Sequence, residues 1–190
     1  MGGAVREVQS SGRAAPLNEG VRDSHSNVPA VGVRRTGRVV AGIATIVVVD
    51  QLTKVWAVAN LADGPKHVIG DTVELSLTRN GGSAFSRFQG MTPVLAVGAI
   101  LVTIVLVRVL RGTTDRVLVI ALSLVLGGAV GNLTDRFFRA PGFLRGHVVD
   151  FVAVGWWPVF NVADSCVTIG AVLLILRSLR VPPPERAHDG

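Results

Sequence analysis

Four apolar stretches divide the chain, at residues 39–62, 91–107, 117–133 and 159–176. The second and third carry no charged residue over 17 positions each, and the fourth carries one, Asp164. A membrane-crossing helix needs about 20 mostly apolar residues, with about 17 as the short limit. Helices in soluble cores are rarely apolar on every face. The pattern therefore predicts an all-α membrane protein with four transmembrane helices, the first interrupted by Asp50, Gln51 and Lys54. Between the first two stretches the period changes. Val73, Leu75 and Leu77 alternate with Thr72, Glu74, Ser76 and Thr78, which predicts a strand. Asn80-Gly81-Gly82 marks a turn after it, so a small β-structured loop is expected at about 63–90.

Composition agrees. The 190 residues are 49% hydrophobic and only 17% charged, against about 25% charge in an average soluble domain. Such hydropathy excludes a disordered chain as a whole. The single cysteine, Cys166, excludes a disulfide framework or a multi-cysteine metal site. Residues 1–37 and 181–190 lack periodicity and predict disordered tails around a membrane domain at 38–180. Arg34-Arg35 resembles a twin-arginine export signal, and Ala57-Val58-Ala59 a cleavage site. Asp50 and Lys54 would spoil the apolar region of such a signal, so a first membrane helix is the reading adopted.

The formal net charge of +6 acquires meaning from its placement. Arg6, Arg13, Arg22, Arg34, Arg35 and Arg38 precede the first stretch. Arg108, Arg111 and Arg116 separate the second from the third, and Arg177, Arg180 and Arg186 follow the fourth. By the positive-inside rule both termini and the 108–116 turn are cytoplasmic, while 63–90 and 136–158 lie outside. Trp56, Trp156 and Trp157 then fall near the outer interface, which indoles prefer. The basic excess marks a membrane face, and no nucleic-acid partner is expected.

Polar groups inside lipid are costly and default to function. Asp50, Lys54, Asn132, Asp135, Arg136, Asn161 and Asp164 lie in or at the ends of the apolar stretches, and Asp150 lies in the apolar run 147–152. With the deduced topology all of them gather in the outer half of the bundle. Asp164 is placed six residues down the fourth span, about 9 Å at 1.5 Å per residue. Two carboxylates close together cannot both ionise cheaply and titrate as a coupled pair. Asp150 and Asp164 are thus candidates for a dyad in which one member activates water and the other donates a proton. Spacing alone leaves open that both are structural, or that the polar groups serve a small proton-coupled carrier. The four histidines (25, 67, 147 and 188) show no metal-ligand spacing, and Cys166 reads as a small hydrophobe rather than a nucleophile paired with His147. Gly127, Gly128 and Gly131 allow close helix approach.

Five blocks carry a resemblance to signal peptidase II, the prolipoprotein signal peptidases of bacteria. They are Asp50-Gln51-Leu52-Thr53-Lys54, Asn80-Gly81-Gly82-Ser83-Ala84-Phe85, the run from Gly127 to Arg136, Val148-Val149-Asp150-Phe151, and Phe160-Asn161-Val162-Ala163-Asp164. The resemblance implies an aspartic endopeptidase without a metal or cofactor, in the bacterial cytoplasmic membrane, with its active site toward the outer face. It implies diacylglyceryl-modified prolipoproteins as substrates, cut just before the modified cysteine, with Asp150 and Asp164 catalytic. Asn80, Asn132, Arg136 and Asn161 match positions that hold the substrate or orient the pair. Asp50, Lys54 and Asp135 match supporting polar positions. Membrane lipid is the other expected partner, and a monomer the expected state. The strand within 63–80 is expected to act as a platform or lid that pairs with an extended peptide. Two features depart from the family pattern: the long segment before Arg34, and the 14 residues between Asp135 and Asp150, in which Ala140-Pro141-Gly142 resembles extra loop.

Overall fold

The structure, a computed structural model, describes residue 2 and residues 30–82 and 92–180, with side chains from Arg35 onward. Helices α1 (Ala30–Asn60), α2 (Thr92–Gly112), α3 (Arg116–Phe138) and α4 (Val162–Leu179) are all long and apolar enough to cross a membrane. Their outward faces carry side chains such as Leu52, Leu101 and Val105, each more than half exposed. This is a multi-pass membrane protein, and in lipid those faces meet acyl chains rather than water.

Helix α3 is the central element, and glycines let its neighbours close on it. A Cβ at Gly128 would lie 2.3 Å from the Ala163 carbonyl oxygen on α4, and one at Gly127 would lie 2.8 Å from Ile46 on α1. Gly131 faces Asp50 at the same distance, 2.8 Å. The expected close approach at all three glycines is therefore observed. Asp115 caps α3, accepting from the backbone N–H of Val117 and Leu118 at 2.8 and 3.1 Å. Arg177, in the last turn of α4, reaches the same carboxylate at 2.6 Å.

Strands β1 (Lys66–Ile69), β2 (Val73–Asn80), β3 (Val148–Val154) and β4 (Trp157–Phe160) form one antiparallel sheet in that order. Leu75, Leu77 and Val152 pack with Phe151 against Ala57 and Leu61 at the end of α1. That contact seats the sheet on one end of the bundle. The expected strand is β2, which runs two residues past the end of the alternation at Thr78. Strand β3 pairs along one edge of β2 from Val73 to Asn80, whereas β1 pairs along the other edge only at Val73–Leu75.

Three further differences have physical causes. Helix α1 begins at Ala30, inside the segment expected to be disordered; residues 1, 3–29 and 181–190 of the two expected tails lie outside the described residues. Ser83, Ala84 and Phe85 of the second sequence block also lie outside them. The apolar run at 148–154 is a strand buried over its first four residues, and a strand covered on both faces shows no alternation to read. Because β4 takes residues 157–160, α4 starts at Val162 and Asp164 falls in its first turn. The expected depth of six residues is therefore wrong.

Candidate active site

Beneath the sheet, α1 and α3 face each other across a charged cluster with no side-chain exposure: Asp50, Lys54 and Asp135. The Lys54 ammonium has three donors, and each has a partner. Nζ lies 2.8 Å from Asp50 Oδ2, 2.8 Å from Asp135 Oδ2 and 2.9 Å from Asn132 Oδ1. Arg139 supplies the second positive charge, its Nε 2.6 Å from Asp135 Oδ1. Two carboxylates thus meet two cations, which is the condition for burying charge without a large uncompensated penalty. The remaining lone pairs are used as well. Asp50 Oδ1 accepts from the Ala163 N–H at 2.9 Å, tying α1 to the start of α4. Asp135 Oδ2 accepts from the Val149 N–H at 3.2 Å, tying α3 to β3. Gln51 Nε2 approaches Asp50 Oδ2, Asp135 Oδ1 and the Gly131 carbonyl oxygen at 3.1 to 3.2 Å.

Above this cluster three asparagines hold Asp150 and Asp164. Asn161 is the N-cap of α4, with an extended backbone. Its Oδ1 accepts from the Asp164 N–H at 2.9 Å, and Asp164 Oδ2 accepts from the Asn161 N–H at 3.2 Å. This is a capping box in which Asp164 replaces the usual Glu or Gln. The Nδ2 of the same Asn161 points the other way and donates to Asp150 Oδ1 at 2.6 Å. Asn132, on α3, donates from Nδ2 to Asp164 Oδ1 at 2.8 Å. Its Oδ1 is turned toward Lys54, so the buried ammonium sets which end of that amide faces the carboxylate. Asn80, at the end of β2, donates to Asp150 Oδ2 at 3.2 Å. Across the ladder Asp150 pairs with Thr78 and Asn80 with Val148, and a bulge between Leu75 and Thr78 shifts the register just before them. Bulges near a site re-aim side chains in this way. Asn80 Oδ1 accepts from the Gly82 N–H at 2.8 Å. Gly82 has φ +93°, a conformation that disfavours any residue with a Cβ.

Asp150 is almost wholly buried, at 2% exposure. Desolvation raises its carboxyl from the ordinary range to about 6, with the Asp164 charge adding to the rise; the bonds from Asn80 and Asn161 and the Lys54 charge oppose it. Such a group keeps its proton well above the pH at which an exposed aspartate releases it. Two carboxylates, one buried and biased toward the protonated form and one half-buried, are the equipment of acid–base chemistry on a polar bond.

Asn80, Asn132, Asn161, Asp150 and Asp164 thus join one bonded network with Asp50, Lys54 and Asp135. Arg136 is different. Its Nη1 donates to the Gly146 carbonyl at 3.2 Å, and no hydrogen bond links it to either aspartate. It holds the segment after α3, whose Gly146 N–H returns to the Arg136 carbonyl at 3.1 Å. A Cβ at Gly146 would lie 2.1 Å from the Asp135 carbonyl oxygen, so the apparent extra loop packs against the end of α3 and leads directly into β3. These contacts fix the placement of Asp135. Sequence reasoning missed Arg139 and gave Gln51 no role. The i,i+4 spacing of Asp135 and Arg139 was a readable signal for the first.

Four spans with an asparagine-bridged acid pair fit an intramembrane hydrolase, and comparison with known proteins makes the assignment. A family profile described as signal peptidase (SPase) II matches residues 42–180. The chain is 52% identical over 153 residues to a lipoprotein signal peptidase of Rhodococcus jostii, covering 80% of this chain and 76% of that one. With the lipoprotein signal peptidase of Mycolicibacterium smegmatis it shares 48% identity over 172 residues, covering 90% and 72%. A bacterial membrane enzyme solved by the in meso method at 1.9 Å superposes with a TM-score of 0.67 at 29% identity, over 77% of this chain and 95% of that chain. The chain belongs to the signal peptidase II family. It is an aspartic peptidase, which sets aside the carrier considered from the sequence.

Proposed function

We propose that the protein removes signal peptides from bacterial prolipoproteins, cutting just before the diacylglyceryl-modified cysteine, with Asp150 and Asp164 as the catalytic pair. The observation that carries this reading is the double use of Asn161. One amide caps Asp164 through Oδ1 and binds Asp150 through Nδ2, so a single side chain couples the two carboxyls. Asp164, at the positive N-terminal end of α4 and accepting from two N–H groups, acts as the ionised base. It takes a proton from water as the water oxygen attacks the carbonyl carbon before the cysteine. Asp150 donates its proton to the carbonyl oxygen of the tetrahedral intermediate. As the C–N bond breaks, the cysteine nitrogen receives the proton held by Asp164, and one hydroxyl of the intermediate returns its proton to Asp150 as the new carboxyl forms, so the pair is left with the one proton it began with. Asn80, Asn132 and Asn161 hold the carboxyls, and Arg136 positions the segment that enters β3. No metal or cofactor takes part, and one copy is sufficient.

In this reading both termini are cytoplasmic and the sheet lies at the outer face of the cytoplasmic membrane. A lipid-anchored cysteine keeps its acyl chains in the outer leaflet, so its scissile bond reaches the depth of the first turn of α4. The test uses protein purified in detergent, a diacylglyceryl-modified prolipoprotein and its unmodified counterpart. The expected result is release of a mature product that begins with the modified cysteine, unaffected by EDTA, with the unmodified chain left uncut. Cleavage at another bond, or abolition by EDTA, overturns the proposal.

A further inference from the structure

Helices α1 and α3 run parallel and touch over only part of their length. Ile46 meets Gly127, Asp50 meets Gly131 and Lys54 meets Asp135, a constant offset along both helices. Toward the end of the bundle opposite the sheet they part. Two adjoining cavities of about 810 and 330 Å³ open between them and share Arg38, Val39, Val119 and Ile120. The wider one also takes in Arg35 and Arg116, and the narrower one runs on to Gly42 and Ile46. A Cβ at Gly42 would meet nothing within 4 Å, so the groove is empty of protein there.

Its chemistry changes along its length. The wide end carries three arginines and no carboxylate. The nearest carboxylate in sequence, Asp115, is engaged by Arg177 and by the first turn of α3. Arg35 gives one nitrogen to the Thr113 carbonyl, which ties α1 to the α2–α3 turn and leaves further guanidinium donors. Among the described residues the guanidinium groups of Arg38 and Arg116 make no hydrogen bond or ion pair. From there inward the walls are apolar except for Ser123, whose hydroxyl donates to the Val119 carbonyl. Arg38 to Ile46 and Arg116 to Leu124 each span eight residues, about 12 Å, or less than half of a hydrocarbon core about 30 Å thick.

We infer that this groove is a binding site for one anionic glycerophospholipid, its phosphate held by Arg35, Arg38 and Arg116 and the upper part of an acyl chain lying along Val39, Gly42 and Ile46. Charge complementarity selects the occupant. A soluble anion would leave the apolar walls uncovered, and a zwitterionic lipid would bring a second cation among three arginines. Basic pockets between membrane helices bind acidic headgroups in this manner. The inference rests on the helices spanning a membrane and is independent of the peptidase reading.

The test is native mass spectrometry of the full chain in neutral detergent, titrated with phosphatidylglycerol or with phosphatidylcholine of the same acyl chains. The wild type is expected to bind one phosphatidylglycerol in preference to phosphatidylcholine. Arg38→Gln with Arg116→Gln should weaken that binding about thirtyfold, from two lost arginine–headgroup attractions. Gly42→Leu, which fills the groove and keeps every charge, should also weaken it. Arg108→Gln with Arg180→Gln, which removes two exposed charges outside the groove, should not. Unchanged unfolding temperatures in lipid-free micelles verify that each variant is folded. Equal binding of the two lipids, equal loss in the two arginine pairs, or wild-type affinity in Gly42→Leu would each overturn the inference.

Discussion

Replacing Lys54 by Met is the sharpest perturbation of the support beneath the aspartates. The ammonium lies 2.8 Å from a carboxylate oxygen of both Asp50 and Asp135. Each attraction is about 6 kcal/mol at an effective dielectric of 20, and the desolvation of all three groups offsets much of it. Removing one partner of a buried ion pair costs about 3–5 kcal/mol, because the other charge stays buried without compensation. For a chain of this size that is a fall of about 6–20 °C in unfolding temperature. Lys54→Met leaves Asp50, Asp135 and Arg139 with a net charge of −1, and adding Asp50→Asn restores neutrality. The new amide still offers Oδ1 to the Ala163 N–H, as Asp50 does at 2.9 Å, and the Asp135–Arg139 pair is untouched. The double variant is therefore expected to be more stable than Lys54→Met alone, with a coupling of about 2 kcal/mol. Thermal unfolding in detergent, followed by circular dichroism for both single variants and the double, measures it. Additive losses would refute the charge-balance reasoning.

Other outcomes follow from the same geometry. Asn161→Ala should cost about 1 kcal/mol through the lost cap and at least about tenfold in cleavage rate; Asn161→Ser should recover the stability but not the rate, because serine caps α4 without bridging to Asp150. Asp150, raised to about 6 by burial and by Asp164, should make cleavage decline as pH rises through about 6, when the proton donor is lost. The same raised value means that its contribution to stability is present below the unfolded carboxyl range and is lost as pH climbs through about 6. Asp150→Asn should flatten that slope in unfolding experiments. Gly128→Ala should force α3 and α4 apart, since its Cβ would lie 2.3 Å from a backbone oxygen; a loss of about 1–3 kcal/mol is expected, with slower cleavage because Ala163 lies between Asn161 and Asp164.

The four helices were legible because lipid imposes a single rule, about 20 apolar residues in a row, and the charge-free runs obey it. Only one strand announced itself. Strand β2 has one face toward α1 and alternates, whereas β3 is covered at 148–151 on both faces and reads as a hydrophobic run. The depth of Asp164 was misjudged for a related reason. Counting began at the apolar Pro158-Val159-Phe160, although the helix start was encoded three residues before Asp164 in the capping pattern Asn161-x-x-Asp164. Asp50, Lys54, Asp135 and the asparagines were visible as expensive groups in an apolar context. Their pairing was not, because it depends on α1 and α3 closing at Gly127 and Gly131. The bond from Arg136 to Gly146 was not legible, because it is made to a loop whose path no local pattern describes.

The most direct test of the central claim is the single-turnover rate of signal-peptide release from a diacylglyceryl-modified prolipoprotein by wild type, Asp150→Asn, Asp164→Asn and the double variant. A pair that shares one proton acts as a unit. Each single substitution should therefore slow cleavage by about 10³-fold or more, with the double variant no slower than either single. A single variant that cleaves at the wild-type rate, or losses that multiply in the double variant, would contradict the account.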